Sequence, residues 1–337
     1  MRVSEGSAIA LAALFFCLGK PVAADVSRGE ETVAPDRVCE EAIEAARTPC
    51  RIWTVDYEVR SMFDSNTRYQ FGTPPSATPA YAPLSLLDWS LNSVWTGLRF
   101  GVEQPNWNVS FEWLTPMEKN IHGSIADLDW EATHFDNLSY SSERWNDGQM
   151  LDLKGAFKLT DMFFTLPIEV WPVAGFRFQR FDITSHDTRN VFPTSYPIPG
   201  DVGTFNQQYY MSYVGGELRT TLEIAAIRRS ISLAFQGDWG ATWGYNIDHH
   251  ISGYEPTTHR YTMESTSGGA VHLALIAEMP LNQRWSFGVQ GDYLTIFTTG
   301  THRWLMYGAK SADETWSNGV KVESDQSSIT AFLRAKF

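Results

Sequence analysis

The sequence predicts an all-β protein, an outer-membrane barrel of ten antiparallel transmembrane strands, and three observations lead there. The first is an N-terminal leader pattern: Arg2, then a short apolar run from Ala8 to Leu18, then the small residues Val22-Ala23-Ala24. The second is that aromatic residues make up 14% of the chain while its mean hydropathy is −0.25. No later stretch approaches the ~20 apolar residues of a membrane helix. Strands that turn apolar side chains to lipid and polar ones inward give this combination. The third is a repeated alternation from residue 52 onward, in which short turns and long polar segments take turns as connections, with a final aromatic at Phe337.

Residues 1–24 read as the signal peptide, with the mature chain starting near Asp25. Cys17 lies inside the apolar run, and the bulky Leu14, Phe15 and Phe16 before it do not suit lipidation. Residues 25–51 read as a periplasmic N-terminal extension, with one or two helical turns at Glu40 to Arg47. Cys39 and Cys50 are the two cysteines outside the leader, and an oxidising compartment favours a structural disulfide between them.

Residues 52–337 form the barrel. Ile52 to Tyr69 alternates imperfectly, and Thr73 to Pro83 is a Pro- and Ser-rich loop. Ser85 to Val102 reads as one strand, with Leu87, Trp89 and Leu91 alternating with Asp88, Ser90 and Asn92. The chain turns at Gln104-Pro105-Asn106 and returns through Trp107 to Trp113. Further strands follow at Phe157 to Leu166 (with a turn at Thr160-Asp161), Phe176 to Ile183, Tyr209 to Leu222, Ser230 to Trp243, Ala270 to Met279, Trp285 to Phe297 and Ser327 to Phe337. Tight reversals fall at Ala226-Ile227-Arg228 and Pro280-Leu281-Asn282. Polar segments near 114–148, 184–206, 244–262 and 300–325 read as long extracellular loops.

The formal charge is −13, and loss of Arg2, Glu5 and Lys20 with a leader makes it one unit more negative. That sign excludes nucleic acid as a partner. It suits basic peptides, although solubility alone accounts for an acidic surface. A monomer is expected, since nothing in the chain encodes a defined oligomer.

Two short motifs carry chemistry. Asp127-Leu128-Asp129-Trp130 and Asp248-His249-His250 each hold two ionisable residues two positions apart. On a strand, residues i and i+2 share a face, so each pair points one way. Two carboxylates on one strand and an Asp–His pair on another suffice to hold and activate a water. His249 falls on the opposite face and receives no catalytic role. Asp248, His250 and His259 could be read as metal ligands, but their spacing matches no zinc pattern and no metal is expected.

With these motifs in their order, the chain resembles the omptins, a family of outer-membrane proteases. The resemblance rests on Leu87-Asp88-Trp89, on Trp113-Leu114-Thr115 followed by Gly123 to Trp130 with Ile125 in place of a Met, and on Trp243 to His250. It also touches Ala174-Gly175-Phe176 to Thr184 and Met211 to Gly215. It implies a ten-stranded barrel extending above the membrane with a catalytic groove at its outer rim. Asp248 and His250 match the family's dyad, and Asp127 and Asp129 match its opposing carboxylate couple. His250 would be the general base and Asp248 its orienting partner. The aspartate couple would hold the water and share a proton. No cofactor is implied beyond a requirement for lipopolysaccharide.

The sequence also departs from the family pattern. Asn246 stands where an acid is expected for substrate binding, and Asn66 to Phe71 contains no partner acid. An amide cannot pair with a guanidinium as a carboxylate does, so dibasic cleavage is not carried over. Arg180 matches a lipopolysaccharide-binding arginine, while Phe178 and Gln208 replace its usual charged companions. The expected partners are therefore a peptide or protein substrate and outer-membrane lipid. The competing readings are a catalytically inert surface barrel and a small porin.

Overall fold

The computed structural model describes residues 51–72, 84–131, 134–163, 165–224, 229–251, 258–308 and 311–337. The signal, the extension with Cys39 and Cys50, the 73–83 loop and the 226–228 reversal lie outside the described residues. The chain forms β1 (Ile52–Phe71), β2 (Ser85–Ser90), β3 (Val94–Gln104), β4 (Trp107–Pro116), β5 (Ile125–Glu131), β6 (His134–Phe157), β7 (Glu169–Phe192), β8 (Tyr196–Ile224), β9 (Arg229–His250), β10 (Thr258–Pro280), β11 (Trp285–Gly308) and β12 (Ala312–Lys336). All pairings are antiparallel, and β12 pairs with β1 to close the ring. β2 with β3, and β4 with β5, are two halves of interrupted staves, so twelve elements make the ten staves the sequence predicts.

The single strand expected over Ser85 to Val102 is broken at Leu91-Asn92-Ser93. The break coincides with a register shift in β1 between Phe63 and Asn66, where β1 changes partner from β3 to β2. Asp64 turns the backbone there with φ 49°, a left-handed conformation that Asp tolerates. The freed polar groups find partners: Asn92 Oδ1 accepts from Ser65 N at 2.9 Å, and Leu91 N donates to Ser65 O at 2.8 Å. Leu91 swings wholly into the core.

The polar segments expected as long loops are mostly strand. β6 begins at His134, β7 runs to Phe192, β9 to His250 and β11 to Gly308. The reason is physical. Above the membrane neither face of a stave meets lipid, so its sequence loses the apolar–polar contrast that marks a strand. Conversely, the strand expected through Phe157 to Leu166 ends at Phe157 and gives way to bridges at Thr160–Val170 and Phe163–Leu166.

The interior is layered. At membrane level, exposed Trp53, Phe111, Phe176, Trp239, Phe287 and Leu333 face outward. Inside that belt, a cavity is lined by charged side chains, among them Arg60, Glu112, Asp152, Arg177, His272 and Asp292. Toward the rim an apolar layer fills the barrel, with Trp95 against Trp145 (ring centroids 5.2 Å) and against Phe181 (5.9 Å). Leu114, Ile183 and Phe205 complete this layer, all fully buried. Among the described residues the lumen is therefore not a continuous polar channel.

Candidate functional site

The short strand β5 has neighbours on both sides. Asp127 is opposite Leu87 of β2 and Ser139 of β6, while Asp129 is opposite Ser85 and Asn137. Ile125, on the same face, is buried in the core layer, which fixes Asp127 and Asp129 as inward-facing. Asn137 Nδ2 donates to Asp129 Oδ2 at 3.2 Å. Asp127 Oδ1 is buried without a hydrogen-bond partner.

Burial pushes the Asp127 carboxyl up to about 7, and the neighbouring Asp129 adds to the shift. His250 pulls it back, Asp248 raises it further and Arg260 lowers it. The four side chains that the two motifs supply are thus close enough to bear on one another electrostatically. The Asp129 carboxylate on the same strand face thus favours the protonated form of Asp127.

On β9 the alternation places Asn246, Asp248 and His250 inward. Asp248 is buried, and its Oδ2 lies 2.8 Å from His250 Nε2. The His250 side chain is 26% exposed, so its imidazole reaches both a buried carboxylate and solvent. His249 takes the outer wall, where its ring stacks on Tyr261 at 4.1 Å with planes 3° apart. His259 lies beside it on the same outer wall, ring centroids 5.9 Å from His249, so Asp248, His250 and His259 do not form one ligand set.

Asn246 lies one step deeper along β9 than Asp248. Its Nδ2 donates to Glu264, a fully buried residue opposite it on β10, and Glu264 Oε1 meets His302 Nδ1 at 2.7 Å. Glu264 is an acid that the sequence reading missed. Residues 244–262 lack the apolar–polar contrast that marks a strand, so the alternation that carries on to Glu264 is not legible there. Read as strand, Arg260, Thr262 and Glu264 fall at i, i+2 and i+4 on the inner face. Arg260 sits opposite His250 in register.

Arg180 is on the outer wall of β7, 3.4 Å from both Asp147 and Asp182. Beside it Phe178 contacts the Tyr210 ring at 5.0 Å, and Tyr210 OH donates to Gln208 at 2.9 Å.

No family profile and no curated protein matches the chain. Among solved structures, the outer membrane protease OmpT from Escherichia coli is similar at TM-score 0.68 and 16% identity, over 86% of this chain and 98% of that one. The outer membrane protein OprG from Pseudomonas aeruginosa aligns over 86% of this chain and 97% of that one, at 10% identity and TM-score 0.33. At 16% identity the likeness to OmpT is one of fold. The chain has an omptin-like outer-membrane β-barrel fold.

Proposed function

We propose that this chain is an omptin-like outer-membrane endopeptidase that hydrolyses peptide bonds with an activated water, its site facing outside. One observation carries the reading: a solvent-reached imidazole held 2.8 Å from a buried Asp248 carboxylate, on the same rim as an Asp127 whose proton stays on up to about 7. A base with its orienting acid and an acid that still holds a proton are the two halves of general acid–base hydrolysis. The solved structure of like fold is a protease by its own description, which is consistent with the proposal.

In this mechanism His250 takes a proton from water as the oxygen attacks the scissile carbonyl. Asp248 orients the ring and offsets the imidazolium charge. The proton held on Asp127 hydrogen-bonds the carbonyl oxygen as it becomes an oxyanion. The imidazolium then gives its proton to the departing amine, and the oxyanion collapses to the new carboxyl group. No acyl-enzyme forms.

The test is cleavage of a diverse peptide library by refolded protein, with and without lipopolysaccharide. His250→Ala abolishes turnover while leaving the heat-modifiable migration of the folded barrel intact. A wild-type protein that cuts no library member belongs instead to the inert surface barrels. A porin role is disfavoured by the apolar layer across the lumen. For lipopolysaccharide, any phosphate at Arg180 competes with Asp147 and Asp182, which already flank the guanidinium. Arg180→Ala tests that contact through the lipid dependence of the rate.

A further inference from the structure

Beneath the catalytic rim the two sides of the barrel touch. Phe205, the register partner of Asp248, points inward from β8 and is wholly buried. Its ring stacks on Trp89 of β2 at 3.8 Å with planes 14° apart. It also meets Tyr69 of β1 edge-on at 5.1 Å. In the closed ring β8 stands five staves from β1, so these contacts cross the lumen. Trp89 is two residues deeper along β2 than Leu87, the partner of Asp127, so the bridge runs just under the site.

The next inner row on the membrane side is Gln207, Asn246, Glu264 and His302, each opposite the next. Glu264 is the acid that a cationic side chain would seek. Both of its oxygens are engaged, one by Asn246 and one by His302. Among the described residues the stacked rings block the way down to it, since Tyr69, Trp89 and Phe205 are all buried. A cation stopped at the bridge would lose part of its hydration without reaching Glu264, whose oxygens are already engaged. The Trp89 face, which could offer a cation–π contact, is covered by Phe205.

We propose that Phe205 and Trp89 are specificity-determining residues: they close the lumen beneath the rim with a stacked aromatic bridge and restrict the substrate side chain beside the scissile bond to short, uncharged ones. This rests on the endopeptidase reading above. Glu264 is then a latent acid, reached only when the bridge is opened.

The experiment compares cleavage of matched peptides carrying Ala, Ser, Lys or Arg at that position by refolded full-length protein. Wild type favours Ala and Ser over Lys and Arg by at least about tenfold. Phe205→Ala shifts the preference toward Lys and Arg, and Glu264→Gln in that background reverses the shift. Phe205→Leu, which keeps more of the packing, shows a smaller shift in the same direction, and heat-modifiable migration identifies folded protein. Binding of reduced-amide versions of the same peptides separates this proposal from the hydrolase one. Wild-type cleavage of Arg or Lys peptides as fast as Ala peptides overturns the bridge and leaves the hydrolase standing. Selective binding of the Ala and Ser peptides without cleavage supports the bridge and ends the hydrolase. Neither cleavage nor selective binding overturns both.

Discussion

Asp127 ties the chemistry of the rim to its stability. Its folded carboxyl holds a proton up to about 7, against 3.8 for the free group, because burial and Asp129 both oppose ionisation. The stability this shift contributes is fully present below about 3.8 and is lost as pH rises through about 7. Turnover should therefore fall on the alkaline side as this proton leaves. A rate profile that descends near neutral pH is expected, and a flat profile from mildly acidic to alkaline pH would contradict the role of Asp127. Asp127→Asn should lower turnover by about 10²–10⁴-fold. The same variant should be no less stable than wild type at pH 8, since it removes a buried charge. Thermal unfolding in detergent at pH 5 and pH 8 checks the sign.

At the scale of elements, β5 is the piece that builds one half of the candidate site. It is only seven residues long, yet it pairs with both β2 and β6 and so carries Asp127 and Asp129 to the inner wall. The interruptions that allow this, at Leu91-Asn92-Ser93 and between Pro116 and Ile125, let the upper staves shift relative to the lower ones. Close approach of backbones below the break depends on small residues. A Cβ added to Gly97 of β3 would lie 1.9 Å from the Trp113 carbonyl oxygen of β4, which cannot move aside. Gly97→Val should therefore cost about 1–3 kcal/mol, read as a lower unfolding midpoint in urea. Equal midpoints would show that β3 and β4 can part without loss.

At the scale of the whole molecule, polar and apolar layers alternate along the barrel axis. Within the membrane belt, Glu112 is shared by Arg60, at 3.0 Å, and Arg99, and Glu58 also meets Arg99 at 3.1 Å. Removing the shared acid leaves two guanidinium groups short of countercharge in a low-dielectric interior. Glu112→Ala should destabilise the barrel by about 3–5 kcal/mol, measured by equilibrium unfolding in micelles. The apolar layer above isolates this network from the rim, so folded Glu112→Ala protein should keep the cleavage selectivity of wild type.

The inward pairs and their order are written in the local sequence, whereas the expected count of ten stands on a strand at Phe157 to Leu166 in the place of β6. A period of two fixes which side chains share a face, and that rule needs no knowledge of neighbours. Asp127 with Asp129 and Asp248 with His250 were legible for this reason, as was the outward turn of His249. The same rule failed above the membrane, where loss of hydropathy contrast made tall strands read as loops and hid Glu264. What lies opposite what is set by the closed ring. The Phe205 ring meets Trp89 more than a hundred residues away, Glu264 is matched to Asn246 by register, and Asp127 becomes buried beside a second carboxylate. These facts depend on ring closure and register, which bring distant staves together, and no local pattern encodes them.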